Sequence, residues 1–141
     1  MKLRTRDIPS RVTTGAFILH SGLEKLHGGD EMAMGLHGMA AGAFPSLSNI
    51  EPPKFLKALA VAEVGIGAAL LTPFVPNRLA GAALTTFAGS LLALYLRTPA
   101  LHKPGSIWPT QDGIGISKDA WMLGIGLGLL ADRPDKTNSS Q

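Results

Sequence analysis

The stretch Leu79–Leu96 reads LAGAALTTFAGSLLALYL, eighteen residues with no charge and no proline. At 1.5 Å per residue such a helix is about 27 Å long, close to the ~30 Å of a bilayer's hydrocarbon. Just upstream, Ala58–Val75 carries Glu63 as its one charge. Pro76-Asn77-Arg78 joins the two runs, which predicts a helical hairpin with helices over about Lys54–Leu71 and Asn77–Arg97. A third apolar run, Val12–Leu23, predicts a helix over about residues 9–27. Its basic start also fits a secretory signal, but His20 interrupts the apolar run and no small-x-small cleavage site follows directly. Lys118-Asp119 opens the last run, Ala120–Ala131. Its twelve uncharged residues are short for a span unless Ile114–Ser117 extend it.

Between the first two long helices, Gly28-Gly29 breaks the pattern and Asp30 can cap a short helix over Glu31–Phe44. Met32, Leu36, Met39 and Ala43 recur there at helical spacing. Some fourteen residues suit an interfacial or re-entrant helix, or a lid packed on the bundle. Pro45–Pro53 and Thr98–Ser117 read as loops. The expected fold is therefore all-α, a four-transmembrane-helix bundle with a short interfacial or re-entrant helix between helices one and two. Residues 1–8 form a cytoplasmic N-terminal segment, 9–131 the membrane domain and 132–141 a polar, disordered tail.

Composition changes this picture little. The mean hydropathy is +0.21 because polar ends dilute the apolar runs. Seventeen glycines lie mostly inside those runs, as suits closely packed membrane helices. Small residues form three stripes: Ala58, Ala62, Gly65 and Ala69; Gly81, Thr85, Gly89 and Ala93; and Gly124 with Gly128. Bundle packing is their expected role. With no cysteine the chain has no disulfide, thiol redox chemistry or cysteine-held metal. The net charge of +3 has no basic stripe behind it, so nucleic acid is not an expected partner. The basic cluster Lys2, Arg4, Arg6 and Arg11 puts the N-terminus in the cytoplasm, and an even number of helices returns the C-terminus to that side. The expected location is the cell membrane, multi-pass, with the bilayer as first partner and Tyr95, Trp108 and Trp121 as interfacial anchors.

With that topology the unusual polar residues gather in the outer half. Glu63 lies six residues beyond Lys57, about 9 Å inward along a helix. A carboxylate at that depth should face the bundle and find a partner, with Arg97, Lys118 and Lys25 as candidate cations. His20, Glu24 and His27 follow i, i+4 and i+3 spacing on the first helix. Glu24-x-x-His27 could be half of a di-metal site, but no second Glu-x-x-His exists in the chain, so no metal is expected and a polar network with Glu63 is preferred. No Walker loop, nucleophile elbow or dinucleotide fingerprint occurs.

Several of these residues also form an ordered pattern. Arg11 precedes a helix bearing Gly15, Gly22 and Lys25. Glu63, Gly65, Gly67, Leu70 and Leu71 follow on the next long helix. Arg78 opens the third and His102 lies beyond its end. Over about residues 10–131 this order resembles the DoxX-like family of small four-helix membrane proteins. The family is named for subunits associated with a thiosulfate:quinone oxidoreductase. The resemblance implies a quinone-linked redox subunit, acting with a membrane or membrane-associated redox protein that supplies electrons. Quinone is then the expected cofactor. A quinone needs an apolar slot for its tail and polar groups that exchange protons at its head. Glu63, His20 and Glu24 are the candidate catalytic residues, and Glu63, His20, His102 and Lys118 the candidate quinone-binding residues. Two other readings stay open: a non-catalytic membrane adaptor or assembly subunit, and a small conductor. A homo-oligomer is compatible with each.

Overall fold

The computed structural model describes residues 3–111, 113–117 and 119–133. Six α-helices follow in order: α1 (Ile8–Leu26), α2 (Asp30–Ala43), α3 (Pro52–Leu71), α4 (Asn77–Arg97), α5 (Ile114–Ser117) and α6 (Asp119–Leu130). Short 3₁₀ turns cover Thr5–Asp7, Pro45–Asn49 and Pro99–Leu101. No strand occurs among the described residues, only an isolated bridge between His102 and Pro109. The two expected loops are thus partly helical. Asp30 is the first residue of α2, Gly29 occupies the cap position, and no side-chain capping bond forms there.

The long helices pack as two antiparallel pairs, α1 with α3 and α4 with α6. Glycine makes both contacts close. A β-carbon at Gly67 would stand 2.6 Å from the Leu19 nitrogen, and one at Gly22 would stand 2.8 Å from the Val64 nitrogen. In the other pair, a β-carbon at Gly126 would meet the Thr85 nitrogen at 2.9 Å. Ile18 of α1, Leu70 of α3, Ala80 and Leu84 of α4 and Leu129 of α6 then form one core that joins the pairs. The stripe over Ala58, Ala62 and Gly65 faces outward instead, and a β-carbon at Gly65, Gly89, Gly124 or Gly128 would meet nothing within 4 Å. The inward faces belong to Leu56, Ala60, Glu63, Gly67 and Leu70 on α3 and to Gly126 on α6.

Arg11 explains where α3 stops. The last turn of a helix leaves carbonyls without partners. The Arg11 guanidinium, 1% exposed, donates to the carbonyls of Ala69 (2.8 Å), Leu70 (2.9 Å), Thr72 (2.9 Å) and Val75 (2.9 Å) and to Asn77 Oδ1 (2.7 Å). Asn77 Nδ2 in turn donates to Asp7 (2.8 Å) and Asp132 (3.0 Å). Arg4 pairs with Asp132 at 3.0 Å. Both described ends of the chain therefore meet at one end of the bundle. The expected polar tail begins with Asp132 held in this network, and residues 134–141 lie outside the described residues.

At the opposite end, α2 packs on α3, and Ala40 and Ala43 join Leu94, Tyr95 and Leu101 in a second cluster. Ala33, Ala40 and Ala43 are the buried residues of α2; of the expected Met32, Leu36, Met39 and Ala43 stripe, Ala43 is buried and Met39 packs on this cluster, whereas Met32 is 41% exposed. Among the described residues only α4 is long and apolar enough to cross a membrane, by length and composition. A four-span bundle is therefore not what length and apolarity alone return. α1 holds Arg11, Glu24 and Lys25, α3 holds Lys54, Lys57 and Glu63, and α6 has only 12 residues.

Candidate functional site

α1 presents Ile18, Ser21, Gly22 and Lys25 along one face, because residues three and four apart stack on a helix. α3 presents Glu63 to that face, one turn beyond Ala60. Lys25 Nζ donates to Glu63 Oε2 at 3.0 Å and to Ser21 Oγ at 2.7 Å. The two charged side chains are 17% and 7% exposed. Of the three candidate cations, Lys25 is thus the partner. Arg97 lies elsewhere, over the Phe44 ring at 4.8 Å. Lys118 lies outside the described residues.

The pair lines a cavity of about 260 Å³ enclosed by α1, α2, α3, α4 and the start of α6. Its walls are mainly apolar, with Ile18, Met39, Phe55, Leu59 and Leu94 among them. Phe17 also lines it and is 70% exposed, so the cavity opens at the bundle surface beside α1. α2 closes it from above through Leu36, Met39 and Ala40, and α5 through Gly115 and Ile116. Helix-breaking Gly28-Gly29 lets α2 turn back over α3, which is why a short helix can serve as this cover.

Asp119 is a third charged residue in the same cavity. It is 9% exposed, and Glu63 and Lys25 are its charged neighbours. Among the described residues it makes no hydrogen bond or ion pair, although its place in the first turn of α6 suits a carboxylate there. The sequence puts Asp119 with Lys118 among the polar residues at the outer end of the last helix and gives it no role in the site. The available signal was its spacing: Asp119, Met122, Gly126 and Leu129 share one face, and Gly126 and Leu129 are buried.

The structure does not bring His20 or Glu24 to Glu63. His20 Nε2 lies 3.4 Å from Glu24 Oε1, and the two side chains are 72% and 66% exposed. They stand with His27 on the outer side of α1, where Gly28, Gly29 and Met32 complete a shallow surface depression. The reason is angular: His20 is about 200° around the helix from Ile18, which is in the core. No group of three metal-binding side chains occurs among the described residues. His102 is likewise not among the residues that line the cavity. Its ring packs 5.8 Å from that of Tyr95, and its Nε2 lies 3.2 Å from the Leu96 carbonyl.

No family model, curated protein or solved structure matches this chain.

Proposed function

We propose that the chain is a DoxX-like, multi-pass membrane protein and a quinone-linked redox subunit, working with a partner that supplies the electrons. The observation that carries this reading is the apolar cavity holding Lys25, Glu63 and Asp119. Its volume of about 260 Å³ lies just under the usual ~300–1,000 Å³ of small-molecule pockets. That suits a single-ring head, with an apolar tail leaving past Phe17 along the bundle surface. Lys25 has one N–H left after bonding Ser21 and Glu63, and it can donate to a head-group oxygen. Glu63 and Asp119 offer carboxyl groups able to pass protons. A bound quinone supplies the electron-accepting chemistry, taking two electrons from the partner and two protons to become the quinol. Glu63 and Asp119 stand in the catalytic role that the sequence pattern gave to Glu63, His20 and Glu24.

The surface favours a lipid setting. Phe17, Phe74, Ile107, Trp108 and Trp121 are each at least 70% exposed, an apolar display unusual for a protein bathed in water. Only 33% of the apolar window of α4 is buried, whereas the core helix of a soluble protein is mostly buried. The charges that keep α1 and α3 from reading as simple spans include Arg11, Lys25 and Glu63, which face inward and are partnered. Membrane helices handle ionisable groups in this way. The order Arg11, Gly15, Gly22, Lys25 and Glu63, Gly67, Leu70 is also the α1–α3 interface, so the family-like pattern has a packing reason.

The test is to purify the protein in mild detergent, extract it with organic solvent and measure quinone per protein. About one equivalent, lost in Glu63→Gln, supports the reading; none above the lipid background contradicts it. The adaptor reading is favoured by the outward small-residue stripe of Ala58, Ala62 and Gly65, which leaves room for another helix. It predicts a co-purifying membrane protein that Gly65→Leu releases, with no bound quinone.

A further inference from the structure

We infer that the cavity selects the hydrogen-bond-donating form of its occupant, an aromatic diol of the quinol type, over the parent quinone. This inference rests on the quinone-site reading and assigns the preference to Asp119. Lys25 Nζ spends two of its three N–H groups on Ser21 Oγ (2.7 Å) and Glu63 Oε2 (3.0 Å). Glu63 Oε1 and both oxygens of Asp119 receive no donor among the described residues. Each ionised carboxylate has about four acceptor positions and no donor. One Lys25 N–H and the Ser21 hydroxyl therefore face a much larger acceptor capacity. Asp119 is 9% exposed and lines the cavity, so its carboxylate has lost most of its water, and no donor among the described residues replaces it. An occupant with two O–H groups supplies what the wall lacks. A quinone, which carries only carbonyl acceptors, can take the one remaining Lys25 N–H but offers nothing to the carboxylate oxygens of Glu63 and Asp119. Sites with buried acceptors discriminate strongly against analogues that cannot donate.

The experiment is a binding titration of the full chain in lipid nanodiscs, under anaerobic, mildly alkaline conditions, with a short-chain benzoquinol and the matching benzoquinone. A 4-alkylphenol and its methyl ether form a redox-inert pair that differs only in the O–H. The quinol is expected to bind at least about tenfold more tightly than the quinone, and the phenol to exceed its ether in the same direction. Asp119→Asn should cut that ratio at least about threefold while Asp119→Glu retains it. Equal affinities, or a tighter quinone, overturn the inference and leave the quinone site standing. Full discrimination in Asp119→Asn overturns the role given to Asp119. Failure of all four compounds to bind overturns the site reading along with the inference. If Asp119→Asn does not fold, the phenol–ether comparison on the unaltered protein still decides.

Discussion

Lys25 and Glu63, thirty-eight residues apart, meet at 3.0 Å across the α1–α3 contact, and Gly22 lets the helices approach closely enough for the bond to form. Removing one member of a buried ion pair leaves an uncompensated charge, which costs about 3–5 kcal/mol. Lys25→Met and Glu63→Gln are each expected to lower stability toward the lower end of that range, because Lys25 keeps some exposure. The double variant should recover at least about 1 kcal/mol of the summed loss. Unfolding in mixed micelles measures this. Strict additivity would show that the two groups do not depend on each other.

Arg11 gives a second prediction. All five guanidinium N–H groups are spent on the end of α3 and on Asn77. A lysine keeps the charge but cannot reproduce the planar fork. Arg11→Lys is expected to lower the melting temperature clearly, and Arg11→Ala to cost about 3 kcal/mol or more through the buried carbonyls it orphans. An Arg11→Lys protein that melts like the parent would remove Arg11 from its capping role.

The glycines divide into two groups. Gly67→Ala and Gly126→Ala drive a methyl into backbone of the facing helix and are expected to cost about 1–3 kcal/mol. Gly65→Ala and Gly128→Ala enter open space and should be neutral or stabilising by up to about 1 kcal/mol, from helix propensity. Thermal melts of the four purified variants separate the groups. Equal losses in all four would mean that the outward glycines are also packed.

The bundle brings both described ends of the chain together through Arg4 and Asp132. Reporter fusions after Arg133 and within Pro99–Gly105 are therefore expected on opposite sides of the membrane. Reporters on one side would mean that α6 does not span. Release of the unfused protein by carbonate washing would remove it from the membrane altogether.

The α4 boundaries were legible because the charge-free run Leu79–Leu96 sits between Arg78 and Arg97 just after Pro76, and the helix ends coincide with the expected Asn77 and Arg97. The inward turn of Glu63 was legible too, since a carboxylate in an apolar helix seeks a partner. Its partner was one of three equivalent cations, and only the α1–α3 register, set by Gly15, Gly22 and Gly67, selects Lys25. The polar residues near the end of α1 read as one group, yet they lie on two faces. Lys25 and Ser21 point to the cavity, and His20 and Glu24 point away. Sequence spacing relates His20 to Glu24 but does not say which face the core takes. Asp119 was missed because an acid at the start of a helix has an ordinary explanation in the helix dipole.

The quinone reading requires that the cavity beside Glu63 hold the head of a membrane-dissolved quinone. A photoreactive benzoquinone added to vesicles carrying the protein, followed by peptide mapping, tests it most directly. Labelling is expected in the Phe17–Lys25 and Phe55–Glu63 segments or at Met122, all of which touch the cavity. Excess unlabelled quinone should compete that labelling away, and Gly115→Phe, which adds bulk at a cavity-lining position with free space around it, should weaken it. Labelling confined to outward residues such as Phe74 or Trp108, insensitive to competitor and to Gly115→Phe, would contradict it.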